Sequence, residues 1–103
     1  MNPRVESIQA ALEEAQLTLD ELAALCGVQP GWVIERVEQG LIEVCGADFA
    51  AWRFDAATLR RARAMRGIEL TFDAAPELAA LVVDLTEEIG RLRALLADAQ
   101  RSC

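Results

Sequence analysis

The chain has no histidine, lysine or tyrosine among its 103 residues, and only three Phe and two Trp. These absences remove the usual general bases and the amine of Schiff-base catalysis, leaving cysteines and carboxylates. Adjacent acids such as Glu87 and Glu88 point about 100° apart on a helix, so they do not converge on a substrate. We therefore expect a binding protein, with neither an active site nor a cofactor.

Cysteine is scarce, at three residues, Cys26, Cys45 and Cys103. An odd number cannot pair fully within one chain, which favours a reducing compartment. The N-terminus lacks the pattern of a signal peptide and no segment reaches the roughly 20 apolar residues of a membrane span, so we expect a cytoplasmic protein. The chain has neither CxxC spacing nor histidine. A metal or thiol sensor, in which a dimer brings Cys45 and Cys103 together, is therefore the weakest alternative function.

Basic residues are outnumbered: 17 acids stand against ten bases, all Arg, giving a formal charge of −7. Nucleic-acid binders usually present a basic face, because phosphate contacts supply much of their affinity. The acidity favours a basic protein partner instead. The main argument for DNA binding is the arginine cluster of Arg60, Arg61, Arg63 and Arg66. The alternative interpretation is that these arginines lie on a solvated helix surface and pair with acids.

What the chain does contain is a pattern of two short helices between Leu17 and Val44. Thr18 and Glu21 form a capping-box pattern at the start of the first helix. Gly27 is a typical helix stop, Pro30 fits the first turn of the second helix, and Gly40 is expected to end it. The expected inward face consists of Leu19, Leu22, Ala23, Cys26, Trp32, Val33, Val37 and Leu41.

A small β wing is predicted after the second helix. Leu41–Val44 and Trp52–Phe54 have the composition of short strands, and Leu17–Leu19 could pair with the second of them. Asp55 is a good N-cap for a third helix, which we expect to stop at Gly67. Leu70 and Phe72, in the link that follows, are expected to tuck inward.

A long helix is predicted from Pro76 onward, about 39 Å in length. Its apolar stripe is too long for so small a domain to cover, so we expect a coiled-coil-like dimer, although Gly90 weakens the middle of the helix. Residues 1–16 are predicted to form an amphipathic N-terminal helix, residues 17–72 the main unit and residues 73–103 the self-association helix. The self-association residues are Leu78, Leu81, Leu85, Ile89, Leu92 and Leu96.

The order of these elements resembles a MerR-like winged helix-turn-helix, mainly α with a small β wing and a long C-terminal helix. Within that group, four segments look like the CbpM chaperone-modulator family: LTLDELAALCGV, WVIERVEQGLIE, WRFD and LRRAR. A Leu-rich helix with Glu87, Glu88 and Arg91 follows them. The resemblance runs from about Leu17 to Ala97.

This resemblance implies a chaperone modulator that binds the J-domain of a CbpA/DnaJ-like co-chaperone and inhibits its stimulation of DnaK. We expect the partner surface on the outward face of the second helix and the adjoining wing, at Trp32, Glu35, Glu38, Glu43 and Asp48, with Trp32 possible as a core residue instead. The alternative is a MerR-type transcriptional regulator that binds DNA. Carboxylates stand where such a protein would present base-reading side chains.

Overall fold

The computed structural model describes residues 16–102 of the chain, and this part is mainly helical. Its four helices are α1, Leu19–Cys26; α2, Pro30–Glu38; α3, Ala56–Phe72; and α4, Pro76–Ser102. The predominance of helix agrees with the prediction. Cys103 and all but the last residue of the predicted N-terminal helix lie outside the described residues.

Helices α1 and α2 begin and end where local sequence signals place them. The Thr18 hydroxyl accepts from the backbone N–H of Glu21 at 3.2 Å, and the Glu21 carboxylate accepts from the N–H of Thr18 at 2.9 Å. Gly27 takes a left-handed conformation at φ 69° and ends α1. Pro30 opens α2, and Gly40 is left-handed at φ 75° just beyond its end. The predicted capping box and helix stops are confirmed.

The predicted β wing does not form strands in residues 16–102, which contain two isolated antiparallel bridges instead. Leu17 and Phe54 exchange two backbone hydrogen bonds, of 2.7 and 2.9 Å. The second bridge joins Cys45 and Arg53. The pairing expected between Leu17–Leu19 and Trp52–Phe54 is therefore present only as the single bridge between Leu17 and Phe54.

The strand predicted at Leu41–Val44 is wrong because its backbone donors are used elsewhere. The N–H groups of Leu41 and Ile42 both donate to the carbonyl of Arg36, at 2.9 and 3.3 Å. These bonds close the end of α2 and satisfy its free carbonyl. A segment folded back onto the preceding helix cannot extend into a ladder.

A tight loop at Cys45–Arg53 depends on Gly46, whose φ is 126°. A Cβ built there would lie 2.5 Å from the carbonyl oxygen of Ala51, too close for any side chain. Asp48 closes the same loop, since its carboxylate accepts from the N–H of Ala51 at 3.0 Å. The loop geometry therefore requires glycine at this position.

The core lies where α1, α2, α3 and the first part of α4 meet the segment around Phe54. Trp52 packs edge-on against Phe49 at 4.8 Å and Phe54 at 6.2 Å between ring centroids. Such aromatic pairs add stabilisation beyond the area they bury. The largest fully buried side chains are Phe54, Leu22, Ile42, Met65 and Val33.

Helix α3 runs through Gly67 and ends only at Phe72, so the predicted stop at Gly67 is wrong. The helix ends where Asp73 adopts a left-handed conformation at φ 50°. Glycine inside a helix costs about 1 kcal/mol relative to alanine, which the packing of α3 against its neighbours offsets. Leu70 and Phe72 do not tuck inward; they are 65% and 72% exposed.

Helix α4 returns antiparallel to α3, and only its first part contacts the domain. Ala79, Ala80 and Val83 are buried, the last two of them within the main core cluster. From residue 84 to residue 101 every residue except Ala97 is exposed. Small side chains let α4 approach α3 closely at one end, while the other end extends past the domain.

A buried ionic cluster, formed by Trp32, Arg36 and Glu69, joins α2 to α3. The Arg36 guanidinium donates twice to the Glu69 carboxylate, at 2.6 and 3.2 Å, and lies 4.4 Å from the centre of the Trp32 ring. The Trp32 indole N–H donates to Glu69 at 3.2 Å. The Arg36 and Glu69 side chains are 6% and 10% exposed, so their charges offset each other away from water.

We expect Glu69→Ala to lower the free energy of unfolding by about 3 kcal/mol, the scale for breaking one side of a buried ion pair. The change leaves the Arg36 guanidinium with Glu35 as its remaining carboxylate within residues 16–102. Urea unfolding followed by far-ultraviolet circular dichroism measures the loss.

The control is Glu87→Ala on the exposed face of α4, expected to change stability by no more than about 0.5 kcal/mol. The combined Arg36→Met and Glu69→Leu variant should recover most of the loss, because apolar side chains need no ionic partner. Equal effects of Glu69→Ala and Glu87→Ala would show that the cluster does not hold the fold together.

Candidate protein-binding surface

Glu35 and Glu38 lie on the outward face of α2, as the sequence predicts. Both residues are exposed, and the Glu35 side chain is 70% exposed while it accepts a hydrogen bond from Arg36 at 3.1 Å. The neighbouring Gly31 and Gln39 are exposed as well. The outward face of α2 is therefore acidic.

Trp32 differs from the other predicted partner residues because its indole is already in use. The side chain is half-buried, packs against the core, donates its N–H to Glu69 and covers the Arg36 guanidinium. Its main role in the structure is the ionic cluster between α2 and α3.

Asp48 is exposed, but its polar groups are also committed to the fold. Its carboxylate accepts from Ala51, and its backbone carbonyl accepts from the N–H groups of Ala51 and Trp52, each at 3.0 Å. The adjacent Phe49 is 52% exposed. This loop presents one carboxylate beside one aromatic ring.

Glu43 lines a groove of about 490 Å³ that runs between the end of α2, the start of α3 and the middle of α4. The groove brings together acids that are distant in sequence. Three further carboxylates line it: Asp55, Asp84 and Glu87. Sequence reasoning assigned Asp55 to helix capping and Glu87 to a solvated face, because neither pattern shows that α4 passes beside the start of α3.

Arg61 is the one basic residue among those that line this acidic groove. Its guanidinium donates to the carbonyl of Leu41 at 3.0 Å and to the carboxylate of Asp84 at 2.5 Å. These bonds tie the segment after α2 to α3 and α4. Because Arg61 is only partly exposed and already paired, it neutralises Asp84 and leaves the charges of Glu43, Asp55 and Glu87 facing the groove.

Asp55 keeps its negative charge in this groove over a wide pH range. The backbone N–H of Thr58 donates to its carboxylate at 2.8 Å, and this bond, with the Thr58 hydroxyl, holds the pKa of Asp55 below its ordinary value. A depressed carboxyl pKa means that the ionised form is the one the fold stabilises. Asp55 therefore contributes a negative charge to the groove at neutral and mildly acidic pH.

Of the four arginines on α3, only Arg61 forms an ion pair with another described residue. Arg61 belongs to the groove, whereas Arg60 and Arg63 are exposed and Arg66 is half-buried. Within residues 16–102 these three form no ion pair. Most of the acid pairing expected for this group of arginines is thus not formed.

The two cysteines within residues 16–102, Cys26 and Cys45, do not belong to a group that could hold a metal ion. Cys26 is half-buried against the core, and burial raises the pKa of its thiol. Cys45 is exposed in the tight loop. Across the part of the chain that the structure describes, no three Cys, Asp or Glu side chains lie in an arrangement that could hold a metal ion.

Of α1 to α4, none combines the length and the apolar content needed to cross a lipid bilayer. Comparison with protein-family models, with curated protein sequences and with solved structures finds no match to this chain.

Proposed function

We propose that this protein is a cytoplasmic chaperone modulator, a binding protein and not an enzyme, that occupies the J-domain of a CbpA/DnaJ-like co-chaperone and thereby inhibits its stimulation of DnaK. The partner comes from the resemblance to the CbpM family, and the compartment from the N-terminal sequence pattern and the odd number of cysteines. The observation that carries the proposal is the acidity of the two adjacent surfaces, the α2 face and the groove.

The fold that fits this proposal is a MerR-like winged helix-turn-helix. A capped helix and a helix begun by Pro30 are joined by a three-residue turn. A bridged loop and an Asp-capped third helix follow them. The loop at Cys45–Arg53 takes the position of the wing with one bridge instead of a hairpin. The proposal therefore assigns this chain a reduced wing.

The proposed contact surface consists of Glu35 and Glu38 on α2 and of Glu43 and Glu87 at the groove. All four side chains belong to exposed residues, and none of them caps a helix. A J-domain presents a basic helix to DnaK, so an acidic surface can compete for it. Complementary charge of this kind speeds association and selects the partner more than it raises intrinsic affinity.

Reversing the charges on this surface should weaken J-domain binding. We expect Glu35→Arg with Glu38→Arg, and separately Glu43→Arg with Glu87→Arg, each to raise the Kd by about tenfold, or ~1.4 kcal/mol. The unmodified chain should lose affinity as salt increases, because exposed charges are screened. Calorimetric titration with a purified CbpA-type J-domain at two salt concentrations measures both effects.

A matched control reverses two acids outside the surface, Asp20→Arg with Glu77→Arg, and should leave the Kd nearly unchanged. If the control weakens binding as much as the two test variants, only net charge matters and the surface is misplaced. Absence of any complex at high micromolar concentrations would refute the J-domain as partner.

We further propose that the protein is a homodimer joined through α4. The predicted stripe of Leu78, Leu81, Leu85, Ile89, Leu92 and Leu96 is exposed by 50 to 59% at every position. Apolar side chains in a continuous row of this length are typical of an interaction surface. The stripe lies on the side of α4 opposite Ala79, Ala80 and Val83, which face the domain.

Leu85→Glu or Leu92→Glu should therefore convert a dimer to a monomer without unfolding α1 to α3. A charge placed in a helix–helix seam loses its hydration, whereas the domain core does not include these positions. Analytical ultracentrifugation gives the mass and circular dichroism the helix content. Ala94→Glu, on the opposite face of α4, is the control that should remain dimeric, and a monomeric unmodified chain would contradict the proposal.

The second candidate is a MerR-type regulator that binds DNA, and the unpaired Arg60, Arg63 and Arg66 on α3 favour it. Three arginines on one helix can contact phosphates. However, Glu35 and Glu38 occupy the face of α2 that would enter the major groove, and carboxylates are repelled by the backbone. The chaperone assignment explains these acids and the DNA assignment does not.

We accordingly expect weak DNA binding without sequence preference, with a Kd above about 1 μM at physiological salt. Gel-shift titration of promoter fragments against scrambled fragments of the same length tests this. Specific nanomolar complexes, lost on reversal of Arg60 and Arg63 to Glu, would make DNA the physiological ligand.

A further inference from the structure

Phe49, in the loop before α3, is held in place on one side and exposed on the other. Its ring packs against Trp52 with 4.8 Å between centroids and 68° between planes. About half of the residue, 52%, is nevertheless exposed. The ring therefore contributes one side to the fold and leaves the other side accessible to a partner.

The loop that carries Phe49 is fixed at several points. The Arg53 guanidinium donates to two carbonyls of the loop, those of Ala50 and Trp52, at 3.0 and 2.7 Å. The carboxylate and the carbonyl of Asp48 accept the backbone hydrogen bonds described above. A loop that is ordered in advance loses little conformational entropy on binding, so more of the contact energy contributes to affinity.

A carboxylate faces the same space as the ring, because Asp48 and Phe49 both line one open depression of the loop surface. One oxygen of Asp48 accepts from the loop backbone, and the other has no hydrogen bond or ion pair to any residue of the range 16–102. The cation–π contact found in this range joins Arg36 to Trp32, so no described arginine covers the ring of Phe49. A negative charge and an aromatic ring therefore lie together without a cation between them.

This combination suits the side chain of an arginine or a lysine. A guanidinium or ammonium group is attracted by the face of an aromatic ring, and a carboxylate pairs with the same charge. The methylene groups of such a side chain can pack on the apolar ring. A purely apolar ligand would instead bury the Asp48 carboxylate without a partner, which costs free energy.

The base of this loop is continuous with the acidic groove. A pocket of about 180 Å³ joins the two, and Cys45 and Arg53 line it on the side of the loop. Glu43, Asp55 and Thr58 line both this pocket and the groove. A basic helix that occupies the groove therefore lies beside the loop.

We propose that Phe49 and Asp48 form a binding site, the Phe49 site, for one arginine or lysine side chain of the basic partner helix. The inference rests on the proposed function and adds a specificity-determining residue, Phe49, that the acidity of the surface does not reveal. Exposed carboxylates mainly speed association. A rigid aromatic residue at an interface instead slows dissociation, so the groove attracts the partner and Phe49 retains it.

Substitutions at position 49 test the role of the aromatic face. Phe49→Leu keeps an apolar side chain but removes the face, so it should raise the Kd for a purified CbpA-type J-domain about fivefold, mainly through faster dissociation. Phe49→Tyr keeps the face and should bind within about twofold of the unmodified chain. Phe72→Leu is the matched control, because it makes the same change at an exposed phenylalanine outside the proposed contact surface. Surface plasmon resonance measures both rate constants.

Asp48→Asn tests whether the two side chains bind the same cation. The amide oxygen can still accept from the N–H of Ala51, so the loop keeps this bond while the charge is removed. Alone, the change should raise the Kd about threefold, and with Phe49→Leu the increase should be smaller than the product of the two single effects. Effects that multiply would assign the two side chains to different groups of the partner and overturn the shared site.

Circular dichroism checks that each variant is folded, because Phe49 also contacts Trp52. If Phe49→Leu loses helix content, Phe49→Met supplies a second side chain without an aromatic face. Unchanged affinity in the folded variant, or an equal loss in Phe49→Tyr, overturns the Phe49 site while the J-domain remains the partner. Failure of the unmodified chain to bind the J-domain at high micromolar concentrations refutes the proposed function, and the Phe49 site with it.

Discussion

The Glu69 carboxylate joins α2 to α3, and the placement of the α2 face depends on it. Helix α1 packs directly against both α2 and α3. Helix α2 reaches α3 through the long side chains of Arg36 and Trp32, which converge on one acid. Because each polar group in this cluster has a partner, burial of its charges is tolerated. The orientation of the α2 face follows from it.

Arg61 makes the equivalent connection on the other side of the domain. Its bonds to the Leu41 carbonyl and the Asp84 carboxylate fix the segment after α2 relative to α4. Arg36 and Arg61 are therefore used inside the protein, one buried and one half-buried. Because these two arginines are used internally, the α2 face and the groove remain acidic. This acidity is the reason that the proposed function has a basic protein, and not DNA, as its partner.

Local signals in the sequence were sufficient to predict where α1 and α2 begin and end. Thr18, Glu21, Gly27 and Pro30 act within one helical turn of their own position, so neighbouring residues reveal their role. Gly67 failed as a helix stop because α3 is held by packing with α1 and α4, and tertiary packing overrides a cost of about 1 kcal/mol. The prediction of a strand at Leu41–Val44 was wrong for a related reason. The N–H groups of Leu41 and Ile42 donate to the free carbonyl of Arg36 and do not pair with another strand.

The candidate site was predictable only in part. Glu35 and Glu38 follow from helix periodicity, because their face is set by Val33 and Val37 on the other side of α2. The groove could not be found in this way, since Glu43, Asp55 and Glu87 meet only after α4 folds back along α3. The sequence indicated that Trp32 is either a partner-binding or a core residue. Its hydrogen bond to Glu69, 37 residues away, depends on the tertiary structure and could not be read from local sequence.

The two tryptophans occupy chemically different surroundings, and this makes the protein its own optical probe. Trp32 is half-buried beside a guanidinium and a carboxylate at the joint between α2 and α3, whereas Trp52 is enclosed by Phe49 and Phe54 in the loop and core. Since there is no tyrosine, intrinsic emission comes from these two indoles alone. Replacing either with phenylalanine leaves a single reporter, one for the helix joint and one for the loop, so that movements of the two regions are distinguishable without a label.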